Sequence, residues 1–136
     1  FTIFNNYLDN GSIGIEVGYN SLVNNISYNN ISTIFTKGIY ENNDADFITR
    51  TFYPYVSNSS TYIGNNIIIN SSNAFYIENG TNRLVEENNF INSSTYGLYF
   101  SEIGTNNVFL NNNFTNNEIN FDFTYAYRFC IPLMFG

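Results

Sequence analysis

Tyr40, Tyr76 and Tyr99 each close a short motif of one build: Gly38-Ile39-Tyr40, Ala74-Phe75-Tyr76 and Gly97-Leu98-Tyr99. Glu16 follows Gly14-Ile15, and Asn120 follows Glu118-Ile119, in the same frame. If these segments stack as strands, Glu16, Tyr40, Tyr76, Tyr99 and Asn120 form one outward column. A row of tyrosines offers apolar faces with hydroxyl edges, a surface suited to the face of a sugar ring. Tyrosine also favours strands and pairs well across them, so the column has a purely structural explanation too.

A second group lies in residues 42–58. Asp44 and Asp46 stand two apart, with Arg50 close behind. The two carboxylates are candidate calcium ligands, although calcium takes six to eight oxygens and two acids supply few of them. Arg50 is a candidate for orienting a ligand at the tyrosine column. A catalytic site is harder to assemble. The chain has no histidine, and no pair of carboxylates is placed by sequence alone at the separation glycoside hydrolysis needs. Cys130 and Met134 are the only sulfur-bearing residues, too few soft ligands for a copper site. No catalytic residue is assigned.

The composition limits what can position these groups. Of 136 residues, 28 are Asn, against four Lys plus Arg. Aromatic residues make up 19%, enough apolar bulk to bury a core and to argue against disorder. Asn, Gly and Ser are poor helix formers, while Ile, Val, Tyr, Phe and Thr favour strands. The net charge of −7 excludes the basic stripe that nucleic acid requires. The apolar run near the end, from Phe129, is far shorter than the ~20 residues that span a bilayer.

The elements come from a repeat. Asn pairs followed by an apolar residue occur at Asn5-Asn6-Tyr7, Asn29-Asn30-Ile31, Asn65-Asn66-Ile67, Asn88-Asn89-Phe90 and Asn112-Asn113-Phe114, spaced by 24, 36, 23 and 24 residues. The tyrosine motif runs in phase with them. Self-similarity at this period means a solenoid. Helical repeats would need 3.6-residue apolar stripes, which are missing. Leucine-rich repeats would need more Leu, and hexapeptide helices a shorter period. What remains is an all-β parallel β-helix of about five coils of about 24 residues. Its corners are expected at Asn6, Asn30, Asn66, Asn89 and Asn113, because Asn tolerates left-handed backbone and its amide can bond the amide above and below.

Alternation then assigns the inward residues. One sheet is expected to bury Ile15, Val17, Ile39, Phe75, Ile77, Leu98, Phe100, Ile119 and Phe121. The second is expected to bury Tyr7, Ile31, Ile67, Phe90 and Phe114. Glu41 falls where other coils carry an apolar residue, so the strand is expected to end early there or to bulge. The 36-residue spacing marks residues 42–58 as an inserted loop, and residues 122–136 break the pattern as an irregular terminal segment.

The cadence "NNFINSSTYGLYFSEIGTNNVFLNNN" resembles the right-handed parallel β-helix repeats of NosD-like and pectate-lyase-like proteins. It is similar above all to asparagine-rich adhesin-like surface proteins of methanogenic archaea. The resemblance spans roughly residues 5–123 and implies a right-handed coil. It also implies an exported, extracellular or cell-surface protein. Five coils with no evident polar cap at either end lead to the expectation of a segment with further coils of the same chain as neighbours. The expected function is a stalk or adhesin-like surface that binds polysaccharide or cell-surface glycan. A polysaccharide lyase or hydrolase and a purely structural spacer are the alternatives.

Overall fold

The computed structural model describes residues 2–18, 25–42, 61–78, 82–101 and 106–124, with residue 42 described in its backbone alone. The strands are β1 (Thr2–Phe4), β2 (Tyr7–Val17), β3 (Asn25–Ser27), β4 (Asn30–Asn42), β5 (Thr61–Gly64), β6 (Ile67–Glu78), β7 (Arg83–Glu86), β8 (Asn89–Ile91), β9 (Tyr96–Ser101), β10 (Val108–Leu110), β11 (Asn113–Thr115) and β12 (Ile119–Phe123). Among the described residues there is no helix. Every strand pairing is parallel. Short strands stack in the order β1-β3-β5-β7-β10. Long strands β2, β4 and β6 stack beside them and continue as the pairs β8/β9 and β11/β12. The molecule is thus a parallel β-solenoid of about four turns.

The long strands bend where the backbone turns left-handed. Asn10, Thr33 and Asn70 have φ of 64°, 52° and 54° within β2, β4 and β6. Asn92 and Asn116, at 55° and 53°, occupy the same level in the breaks between β8 and β9 and between β11 and β12. A second left-handed column, Asn5, Tyr28, Asn65, Glu87 and Asn111, precedes each asparagine of the main corner. None of the described glycines has positive φ; Asn, the residue other than Gly that best tolerates this geometry, does most of this turning. Glycine serves for space. At the buried Gly38, a Cβ would come within 2.5 Å of the Ala74 carbonyl oxygen.

Pairing register stacks four inward columns. Ile3, Ile26, Ile63, Val85 and Phe109 line the short-strand sheet. Leu8, Ile31, Ile68, Phe90 and Phe114 form the next column. Ile15, Ile39, Phe75, Leu98 and Phe121 form the third. Val17, Glu41, Ile77, Phe100 and Phe123 form the fourth. The rings touch within and across columns: Phe90 and Phe114 of one column lie 5.2 Å apart, and Phe100 meets Phe109 of another column at 5.4 Å between centroids.

Three inward assignments differ from expectation. Tyr7 is 70% exposed and Ile67 39%; their neighbours Leu8 and Ile68 point inward in their place. Ile119 pairs with Tyr96 and faces out, while Phe121 takes the place below Leu98. β12 therefore enters the sheet two residues later than the repeat suggests.

The asparagine ladder is present, and its phase corrects three of the five expected corners. The column is Asn6, Asn29, Asn66, Asn88 and Asn112. Each Nδ2 donates to Oδ1 of the next at 2.9 Å. Each Oδ1 from Asn29 onward also accepts the backbone N–H of the preceding rung's asparagine, at 3.0–3.1 Å. Asn6 and Asn66 stand where expected. Asn30, Asn89 and Asn113 do not: they are the outward residues that follow the ladder, and Asn113 Nδ2 donates to Asn89 Oδ1 on the exposed surface.

Glu41 neither ends its strand nor bulges out. It stays inward, 1% exposed, in register with Val17 and Ile77. Its Oε2 accepts from Arg83 Nε at 2.7 Å, and Arg83 is 4% exposed. A buried carboxylate is tolerable only with such a partner. Of the expected terminal segment 122–136, Asp122 and Phe123 belong to β12. Residues 125–136 and 43–60 lie outside the described residues.

Candidate functional site

The tyrosine column follows from register. Glu16 pairs with Tyr40, Tyr40 with Tyr76, and Tyr76 with Tyr99, on successive long strands. Alternation turns these residues outward because Ile39, Phe75 and Leu98 are turned inward. Tyr99 pairs with Asp122, so Asp122 ends the column in place of Asn120. The late entry of β12 displaces Asn120. Its backbone carbonyl lies 2.7 Å from where a Cβ on Gly97 would sit, and its Oδ1 accepts from Asn117 Nδ2 at 3.4 Å.

The rings stand half-buried and tilted, and so do not form a flat strip. Tyr40 and Tyr76 meet edge to face, 5.8 Å apart at 74°. Tyr76 and Tyr99 lie 4.9 Å apart at 42°. Tyr96, three residues before Tyr99, stacks on it at 4.7 Å and 27°. Three residues before Tyr40, Lys37 occupies the corresponding place. Its Nζ lies 3.3 Å from the Tyr40 ring centroid and 4.2 Å from that of Tyr76. Register joins Ile13, Lys37, Asn73, Tyr96 and Ile119 in a second outward column beside the tyrosines.

One carboxylate anchors the cluster. The Tyr40 hydroxyl donates to Glu78 Oε2 at 3.0 Å. Burial, then the hydrogen bond and the negative charge of Glu78, raise the Tyr40 phenol pKa well above its ordinary value. Burial and the nearby Glu78 charge raise Tyr76 likewise. Burial lowers the Lys37 pKa, against the opposing pull of Glu78 and Glu16. The Tyr40 and Tyr76 phenols are therefore held in their neutral form, as hydrogen-bond donors and ring faces. Among the described residues, no three His, Cys, Asp or Glu side chains are grouped to hold a metal ion. Asp44, Asp46 and Arg50 lie outside the described residues.

Lys37, Tyr96 and Glu78 belong to the cluster and are missed by reading the sequence for stacked positions alone. A signal for two of them exists: "KGIY" and "YGLY" place a long side chain three residues before the tyrosine, where "NAFY" places a short one. Gly38 and Ile39 are both buried, as are Gly97 and Leu98, so the positions on either side of each pair come out together, which simple alternation does not anticipate. Comparison with known proteins finds no matching family model, no matching curated protein and no matching solved structure. Among the described residues no helix is long and apolar enough to cross a membrane.

Proposed function

We propose that this chain is a right-handed β-helix segment of an exported cell-surface protein, adhesin-like in character, and that it binds glycan on its tyrosine face. The observation that carries the reading is the row of Tyr40, Tyr76 and Tyr99 on three successive rungs, with ring contacts of 5.8 and 4.9 Å. Half-buried, tilted rings give a saccharide both faces and edges to pack against. Glu16, Glu78 and Asp122 border the row with acceptors that orient hydroxyls. The right hand is supported by the near-universal handedness of parallel crossovers, and by the resemblance to NosD-like and pectate-lyase-like coils. Low charge density, acidic balance and abundant Asn support an extracellular setting.

Glycan-array screening followed by calorimetry tests the reading, with the chain and its Tyr76→Ala variant as probes and calcium as a variable. Tyr76 has ring neighbours on both sides, so its loss is expected to weaken binding about tenfold, the scale of one aromatic contact. Equal binding by both proteins would overturn the tyrosine face as the site. Release of unsaturated or reducing ends in the same assay would replace binding by catalysis.

A further inference from the structure

The rings of Tyr40 and Tyr76 already hold a cation. Lys37 Nζ lies 3.3 Å from one ring centroid and 4.2 Å from the other, both well inside the ~6 Å reach of cation–π attraction. Glu78 is fixed beside them by the Tyr40 hydroxyl at 3.0 Å, and Glu16 is the next residue in the column. Two phenol faces with two carboxylates at the rim make the arrangement by which proteins recognise an ammonium group. Here the chain's own lysine fills it.

Three features make that occupant replaceable. Lys37 sits on a flexible four-carbon stem, and its ammonium hydrates strongly once released. Burial disfavours its charge where it lies. On the next rung its column carries the short Asn73, whose Nδ2 reaches back to the Thr36 carbonyl at 3.4 Å; the long Tyr96 follows one rung later, stacked on Tyr99. The net charge of −7 favours the approach of cations.

We propose that Tyr40 and Tyr76 form an aromatic cage for an ammonium group, that Lys37 is its internal occupant, and that the glycan bound by this face carries free amines, as a glucosamine polymer does. This rests on the glycan-binding reading above and specifies its ligand. A ligand amine displaces the Lys37 ammonium into water and takes its place between the rings, while the sugar packs along Tyr76 and Tyr99.

The test is calorimetry on the whole chain at slightly acidic pH, where sugar amines are protonated. The probes are a glucosamine tetramer and its fully N-acetylated, uncharged counterpart. The wild-type chain is expected to prefer the charged tetramer by threefold to tenfold, on the order of one cation–π contact. Lys37→Ser uncovers both rings and is expected to raise affinity for the charged tetramer by a similar factor and for the neutral one by less, so that the preference widens; an unchanged or smaller preference overturns Lys37 as the occupant. Tyr76→Leu, which keeps the net charge, is expected to abolish the preference; a preference that survives it is bulk charge attraction and overturns the cage. Lys37→Gln keeps the stem without the charge and replaces the Ser variant if that one does not fold. Choline against its uncharged isostere 3,3-dimethylbutanol, with Lys37→Ser, isolates the cage: choline must bind more tightly. If the N-acetylated tetramer binds as well as the charged one, the cage is wrong and the glycan reading stands. If neither tetramer binds, both fall for this glycan class.

Discussion

Asn66 uses every hydrogen-bonding position of its amide. Its Nδ2 donates to Asn88 Oδ1 and to the Ile26 carbonyl, both at 2.9 Å, and its Oδ1 accepts from Asn29 N and Nδ2. The rung at Asn88 is built alike. Asn88→Leu strands the Asn66 amide donors and the Ile63 carbonyl inside the wall, so chemical denaturation should show a loss of at least about 3 kcal/mol. Asn89→Leu removes one exposed bond and should cost under about 1 kcal/mol. The need for a ladder is legible in the Asn pairs. Which member of each pair enters it is not, because both asparagines tolerate the corner and only the partner coil decides. Glu41 shows the same limit. Its misfit in an apolar column is visible in the sequence, but Arg83 lies 42 residues away. Arg83→Met leaves a buried carboxylate and should cost about 3–5 kcal/mol in urea unfolding, whereas Glu41→Leu combined with Arg83→Met should cost less than either single change. Tyr40 sets a pH dependence. Its folded pKa is raised, so the unfolded chain loses this proton first as pH rises. Stability should hold below the ordinary tyrosine value of 10.0 and fall above it; ultraviolet titration should show Tyr40 ionising later than exposed tyrosines.

Strands in this molecule are set by their neighbours along the solenoid as much as by their own residues. Alternation correctly places Ile39, Phe75 and Leu98, because each is flanked by a small residue and an outward tyrosine in the same order. It fails at Ile119, where the last corner shifts β12 by two residues and puts Phe121 into the column. No local propensity distinguishes those registers; the pairing with β9 does. Phe75 stacks between Ile39 and Leu98 and meets Phe90 at 6.5 Å. Phe75→Ala should therefore destabilise by about 3–5 kcal/mol, measured by denaturant midpoint. Gly38 tests the close approach of successive rungs. A Cβ there meets the Ala74 carbonyl oxygen at 2.5 Å, so Gly38→Ala should cost about 1–3 kcal/mol through overpacking. At Gly11 the nearest atoms lie at 3.6 and 3.7 Å, and the same substitution should be tolerated.

Across the whole molecule, repetition turns small local choices into surfaces. One outward position, repeated on successive rungs, makes the tyrosine row. A second, three residues earlier, brings Lys37 and Tyr96 onto it. The first is legible as a spacing; the second is not, since it depends on two consecutive residues, Gly38-Ile39 and Gly97-Leu98, both being buried. Inside, Leu98 and Phe100 are fully covered, while their counterparts Phe121 and Phe123 on the last described rung are exposed, as stacking along one axis requires of an outermost rung. Everything proposed for this protein depends on that stacking and its phase. Nuclear magnetic resonance of the isotopically labelled chain measures both at once, through proton contacts between side chains. Contacts are expected from the Asn66 side-chain amide to those of Asn29 and Asn88, and from the Tyr76 ring to those of Tyr40 and Tyr99. Contacts to Asn30 and Asn89 in their place, or a cross-strand pattern of antiparallel pairing, would contradict the stacking and its phase.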